Sequence, residues 1–280
     1  MNMETSAKAY VALTKQPLVA KSYELERTVI DKYMSDLTED SAVIDMACGP
    51  GYATNHVNIH YGCRVLGVDI MPDMIKHAQK MYGNEKAEFI VGDVCDPKLL
   101  DDRKESFHWV MCHLGIHFIK DTDTFLENVY KMLKENGQFL NVFVTREFGD
   151  PIYVGSVRKT IGDPKWKEYK AAIESTMDVP ILTDKPEEKY PWIKDNNVLL
   201  GLMETKGFGI KAKEICFEVV SLPLSPAFIT AIFSAVKMVP EQRREEFLGD
   251  VMAAARTLSG EADPMVNLHI AVIVAQKMKK

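Results

Sequence analysis

The chain has 280 residues, 46% of them hydrophobic and 26% charged, which allows one large domain or one domain with a substantial insertion. Its 34 basic and 40 acidic side chains leave a net charge of −6, so a partner held through phosphates, whether nucleic acid or a membrane surface, is disfavoured. The five cysteines, Cys48, Cys63, Cys95, Cys112 and Cys216, are odd in number and show no C-x-x-C spacing, which argues against a disulfide framework and a zinc site. They fit a reducing, cytoplasmic location. Residues 1–10 hold no apolar run that reads as a secretory leader, and no stretch is long and apolar enough to cross a bilayer.

In chain order, residues 6–37 read as helical, with Val29, Ile30, Tyr33, Met34 and Leu37 on one face. Residues 42–46 (AVIDM) form a short apolar run that ends at Gly49-Pro50-Gly51, the pattern of a buried parallel strand entering a loop. A helix over 52–61 follows. The alternation repeats with a strand at 64–69, a helix at 72–81, strands at 87–91 and 107–112, a helix at 124–133 and a strand at 138–144. Such alternation predicts a doubly wound α/β fold. After Thr145 the rhythm changes. Trp166, Tyr169, Ile173 and Met177 share a helical face that suits either a core or a lid. A long strand over 210–222, helices over 226–238 and 241–258, and a closing strand over 267–275 complete a seven-stranded, mostly parallel sheet whose last strand is antiparallel. The expected organisation is an N-terminal helical cap (1–40), a Rossmann-like core (41–145), a helical lid or substrate region (146–208), and the last two strands with their helices (209–280).

In such a sheet, ligands sit beyond the carboxyl ends of the strands. The first strand ends in Asp45-Met46-Ala47-Cys48-Gly49-Pro50-Gly51, where glycines let the backbone approach a ligand and the next helix offers free amides. Asp45 suits a ligand ammonium group, or braces the loop. Asp69 ends the second strand, at the spacing from which an acid accepts ribose hydroxyls. Gly92-Asp93-Val94 ends the third and can hold an adenine. Cys112-His113-Leu114-Gly115-Ile116-His117-Phe118 ends the fourth.

Asp45-x-x-Cys48-Gly49-x-Gly51, Gly67-Val68-Asp69-Ile70 with Met74 and Ala78, Gly92-Asp93-Val94 and the Leu133-Lys134-x-x-Gly137 turn resemble the class I, Rossmann-like methyltransferases dependent on S-adenosylmethionine (SAM). The likeness covers about residues 40–145. The helices between the last two strands are similar in arrangement to the trans-aconitate and juvenile hormone acid branch. The resemblance implies that Asp45, Gly49 and Gly51 contact the methionine part of SAM. It implies that Asp69 holds the ribose with Ile70 beside the adenine, that Asp93 and Val94 clasp the adenine, and that His113 lies beneath the ligand; Ala47 and Met74 complete the cofactor set. It further implies in-line methyl transfer to a small-molecule acceptor, with S-adenosylhomocysteine (SAH) as product. Ile116-His117-Phe118 stands where many small-molecule members have Leu-His-Trp, which suggests a substrate role for His117, and His117 and His113 are the candidate bases.

Two other readings stay open at this point. A nicotinamide dehydrogenase needs a third small residue after G-x-G, and Thr54 stands there. A non-catalytic SAM-binding regulatory protein is the second. The pairs His56/His60 and His113/His117 lack metal-site context, so no metal is expected.

Overall fold

The computed structural model describes residues 17–145, 151–177, 179–180, 186–193, 195–226, 229–230 and 234–279. The apolar runs become β1 (Ala42–Met46), β2 (Arg64–Asp69), β3 (Ala87–Val91), β4 (Phe107–His113), β5 (Leu133–Val144), β6 (Phe208–Pro223) and β7 (Met265–Lys277). They join in one sheet of order β3-β2-β1-β4-β5-β7-β6. β7 is antiparallel to both of its neighbours, β5 and β6, while β1 to β5 pair in parallel. Every residue of β1 is buried, as a strand covered by helices on both faces must be. β5 starts earlier than the sequence suggests: Leu133 already pairs with Phe107, and the ladder becomes regular only at Gln138, after Asn136 turns at φ +62°.

The helices are α1 (Pro17–Tyr33), α2 (Tyr52–Tyr61), α3 (Pro72–Tyr82), α4 (Thr122–Met132), α5 (Pro151–Ile161), α6 (Lys167–Thr176), the single turn α7 (Pro186–Lys189), α8 (Asn196–Thr205) and α9 (Arg244–Ser259). The helix expected over 226–238 falls partly outside the described residues; Ser234–Met238 is a tight 3-10 turn. Asp121 caps α4, its carboxylate accepting the Thr124 N–H at 3.0 Å. On one sheet face lie Ile30 and Met34 from α1 and its end, Val57 from α2, and Ile75 and Ala78 from α3. On the other lie Phe125, Leu126 and Val129 of α4, with Trp192, Leu199 and Met203.

The segment expected as a lid therefore divides. Tyr190, Trp192, Ile193, Leu199 and Met203 pack against the sheet, whereas Val157, Trp166, Ile173 and Met177 join Phe247, Val251 and Ala255 in a separate apolar cluster. α1 is seated on α2. Asp31 pairs with His56 at 2.8 Å and accepts the Tyr61 hydroxyl at 3.2 Å, and the Tyr23 and Tyr52 rings lie 4.8 Å apart.

Candidate active site

The sheet order reverses between β1 and β4, so the crossovers leave a crevice above the carboxyl ends of these two strands. A cavity of about 670 Å³ opens there, within the usual range for a small-ligand site. Asp45, Asp69 and Asp93, from three different strand ends, all line it. The loops on either side of the crevice nearly touch: a Cβ on Gly115 would stand 2.8 Å from the Ala47 Cβ. Ala47 and Leu114, both in the wall, hold left-handed backbone at φ +64° and +50°. That conformation costs an L-residue about 1–2 kcal/mol, and such strain gathers at functional sites.

Each acid is held differently. Asp69 Oδ2 accepts the Gly49 N–H and Oδ1 the Met71 N–H, both at 2.9 Å, so it ties the first loop to the second. Each oxygen keeps a lone pair for a ligand. Burial holds the Asp69 carboxyl above the ordinary range, against the pull of those two amides. Asp45 is 1% exposed; Oδ2 accepts the Thr54 hydroxyl at 2.5 Å, and Oδ1 has no partner among the described residues. Burial pushes its carboxyl up to about 7, opposed by the Thr54 hydroxyl and reinforced by the Asp69 charge. Asp93 is exposed and closes a local turn by accepting the Cys95 N–H at 2.9 Å.

Ala47, Gly49, Ile70, Met74, Val94 and His113 also line the cavity. Ile70 is 62% exposed, an apolar side chain left uncovered at the site. Both ring nitrogens of His113 lack partners among the described residues, and burial, with the His56 charge, pulls its pKa down to about 3. His113 is therefore a neutral imidazole at physiological pH. Two expectations change. His117 is not in the cavity lining: its Nδ1 accepts the Val144 N–H at 3.3 Å inside the wall, and Phe118 and Ile119 face the cavity instead. Gly51 is likewise behind the lining, where a Cβ would meet Phe89 Cε1 at 2.8 Å and Ala78 Cβ at 2.9 Å. Thr54 uses its hydroxyl on Asp45, so the place of a dehydrogenase's third small residue serves a carboxylate brace.

The family model of a methyltransferase domain matches residues 44–141. Juvenile hormone acid O-methyltransferase of Bombyx mori is 25% identical over 226 residues, covering 77% of this chain and 74% of that protein. The structure of phosphoethanolamine N-methyltransferase 2 of Haemonchus contortus, solved with phosphomonomethylethanolamine and SAH, superposes with a TM-score of 0.57 at 18% identity over 99% of this chain and 58% of that one. The YcgJ protein of Bacillus subtilis superposes with a TM-score of 0.59 at 14% identity, over 92% and 100%. The chain belongs to the class I SAM-dependent methyltransferases.

The residues of this methyltransferase fit its cofactor. A Cβ on Gly49 would meet nothing within 4 Å, so the loop backbone borders open space beside Asp45 and Asp69. That space offers backbone and carboxylate oxygens to a zwitterionic amino acid and an adenosine, and Ile70 offers an apolar face. Two residues that sequence reasoning missed also belong here. One is Thr54, whose hydroxyl orients Asp45. The other is Glu26 of α1, buried in the cavity wall. Among the described residues no helix is long and apolar enough to cross a membrane, and no cluster of His, Cys, Asp and Glu suits a metal.

Proposed function

We propose that this methyltransferase moves the methyl group of SAM onto a small, acidic acceptor bound in the same cavity, in the cytoplasm. The observation that carries the reading is the composition of the wall. Thr176, Val179, Thr230 and Lys237, all beyond the matched stretch 44–141, share one cavity with Asp45, Asp69 and Asp93. A site covered by late segments of its own chain suits a molecule small enough to be enclosed. Lys237 brings an ammonium to that wall and pairs with an anionic group. The Bombyx mori relative is named for an acid acceptor, which agrees.

Bound SAM supplies an electrophilic methyl group, so the protein's work is binding, orienting and excluding water. In this assignment Asp69 holds the ribose, Asp93 and Val94 the adenine beside Ile70 and Met74, and Asp45 with the Ala47–Gly49 loop the methionine end. A carboxylate acceptor needs no base; neutral His113 accepts a hydrogen bond from an acceptor hydroxyl, while the burial that holds its pKa down to about 3 opposes its taking the proton. His117 holds the end of β5 through the Val144 N–H.

The test uses SAM labelled in its methyl group and a panel of carboxylic acids, phosphates, alcohols and amines. Label is expected in an acid, and Asp69→Ala is expected to weaken SAH binding by about tenfold or more, the scale of a lost charged hydrogen bond. SAH binding without transfer to any acceptor would instead favour a regulatory SAM-binding protein.

A further inference from the structure

α1 lies outside the matched stretch 44–141, yet it contributes Glu26 to the cavity wall beside the first loop. Glu26 is 6% exposed, and no hydrogen bond or ion pair holds its carboxyl among the described residues. Asp45, at the end of β1, lines the same cavity with Oδ1 unpartnered. Burying two ionised carboxyl groups together is unfavourable unless a cation lies between them, and without one they hold on to protons. The conflict is visible in Glu26 itself: burial and the Asp45 charge push it up to about 8, against the neighbouring Arg27. Among the described residues no lysine or arginine pairs with either carboxyl; Lys237 and Lys120 line the cavity from later segments.

Resting on the SAM reading above, we propose that Glu26 and Asp45 together clamp the α-ammonium group of SAM, so that α1 is a built-in half of the cofactor site. The ammonium sits on the methionine end of the ligand, the end that belongs with the Ala47–Gly49 loop. One cation there satisfies the free Oδ1 of Asp45 and the carboxylate of Glu26 at once, and no group among the described residues does so. The seating of α1 on α2 through Asp31, His56 and Tyr61 keeps Glu26 over the site. Glu26 is a binding and positioning residue in this scheme and takes no part in proton transfer.

Calorimetry on the full chain tests it with three ligands: SAM, SAH and 5′-methylthioadenosine. SAM and SAH carry the ammonium, and methylthioadenosine lacks the whole amino-acid part. Glu26→Gln is expected to weaken SAM and SAH alike by roughly tenfold and to leave methylthioadenosine unchanged. Glu26→Asp is expected to recover part of the loss. A loss for SAM alone would place Glu26 at the sulfonium, and no change for any ligand would reserve it for something else; either result overturns the clamp. Equal losses for all three ligands, with a lowered melting temperature, would mean that Glu26 only supports the fold. If wild type binds none of the three, the SAM reading itself fails, a result distinct from all the others.

Discussion

Gly49 and Gly51 both hold positive φ, +52° and +85°, but a methyl group added to each meets different surroundings. At Gly51 it lands within 3 Å of Phe89 and Ala78, so Gly51→Ala combines a left-handed penalty with overpacking. At Gly49 it meets nothing within 4 Å and projects beside the cofactor space. Gly51→Ala is therefore expected to cost about 2–4 kcal/mol of stability, and Gly49→Ala only about 1 kcal/mol while losing more SAH affinity than stability. Thermal melts and calorimetry on the two variants check this; equal melting temperatures would show that the packing argument is wrong. Sequence reading placed both glycines at a ligand loop but could not separate them, because Phe89 and Ala78 reach Gly51 from other elements. Asp45, Asp69 and Asp93 were legible because parallel strands put their carboxyl ends on one edge. Thr54 and Glu26 were not: Thr54 matters through its bond to Asp45, and Glu26 through a cavity wall that its helix shares with the first loop. His117 shows the converse limit, since the direction of a side chain in a tight turn does not follow from its place in a motif.

The helices outside the sheet form a unit with its own interior. Trp166 is fully buried, stacks edge-on against Phe247 of α9 at 5.1 Å, and donates its Nε1–H to Asp250 at 2.9 Å. The inward face of α6 was readable from the spacing of Trp166, Tyr169, Ile173 and Met177, of which Tyr169 is only half-buried against the cluster and the other three are buried. Its partner was not, because β6 intervenes in the chain between α6 and α9. Since Thr176 and Val179 line the cavity while Trp166 does not, the tryptophan anchors the cover and leaves contact with the acceptor to its neighbours. Removing the indole leaves a cavity and strips Asp250 of one of its two partners, Lys165 remaining at 2.8 Å, a loss of about 3–5 kcal/mol felt mainly within this unit. Trp166→Ala is expected to speed hydrogen exchange in α5, α6 and α9 together while β1 and β4 keep their protection. Uniform loss of protection through the sheet would mean that the cover and the core unfold as one.

Across the whole molecule, two sets of buried groups set opposing pH limits on stability. His113 and His117 are held neutral by burial, each with its pKa down to about 3 against an ordinary 6.5. Below 6.5 the unfolded chain takes up protons that the folded chain refuses, so stability falls with falling pH, by about 1.4 kcal/mol per unit for each histidine. Glu26 and Asp45 act in the other direction. Their carboxyls are raised to about 8 and about 7 from 4.5 and 3.8, so the folded chain keeps protons the unfolded chain has lost. Their contribution is complete below about pH 4 and is lost as pH rises through 7 and 8. Arg27 and Asp69 are the other charges that act on this pair, the first favouring ionised Glu26 and the second opposing ionised Asp45. Between about pH 4.5 and 6.5 the two sets nearly cancel; above 6.5 the carboxyls alone remain, and the ligand-free protein loses stability toward pH 8. A bound cation reverses that loss by favouring both ionised carboxylates. The rise in melting temperature produced by a saturating concentration of SAH is therefore expected to grow from pH 6 to pH 8.5, and Glu26→Gln is expected to flatten that growth. A rise of constant size across this range in wild type would mean that the two carboxyls give up no proton when the ligand binds.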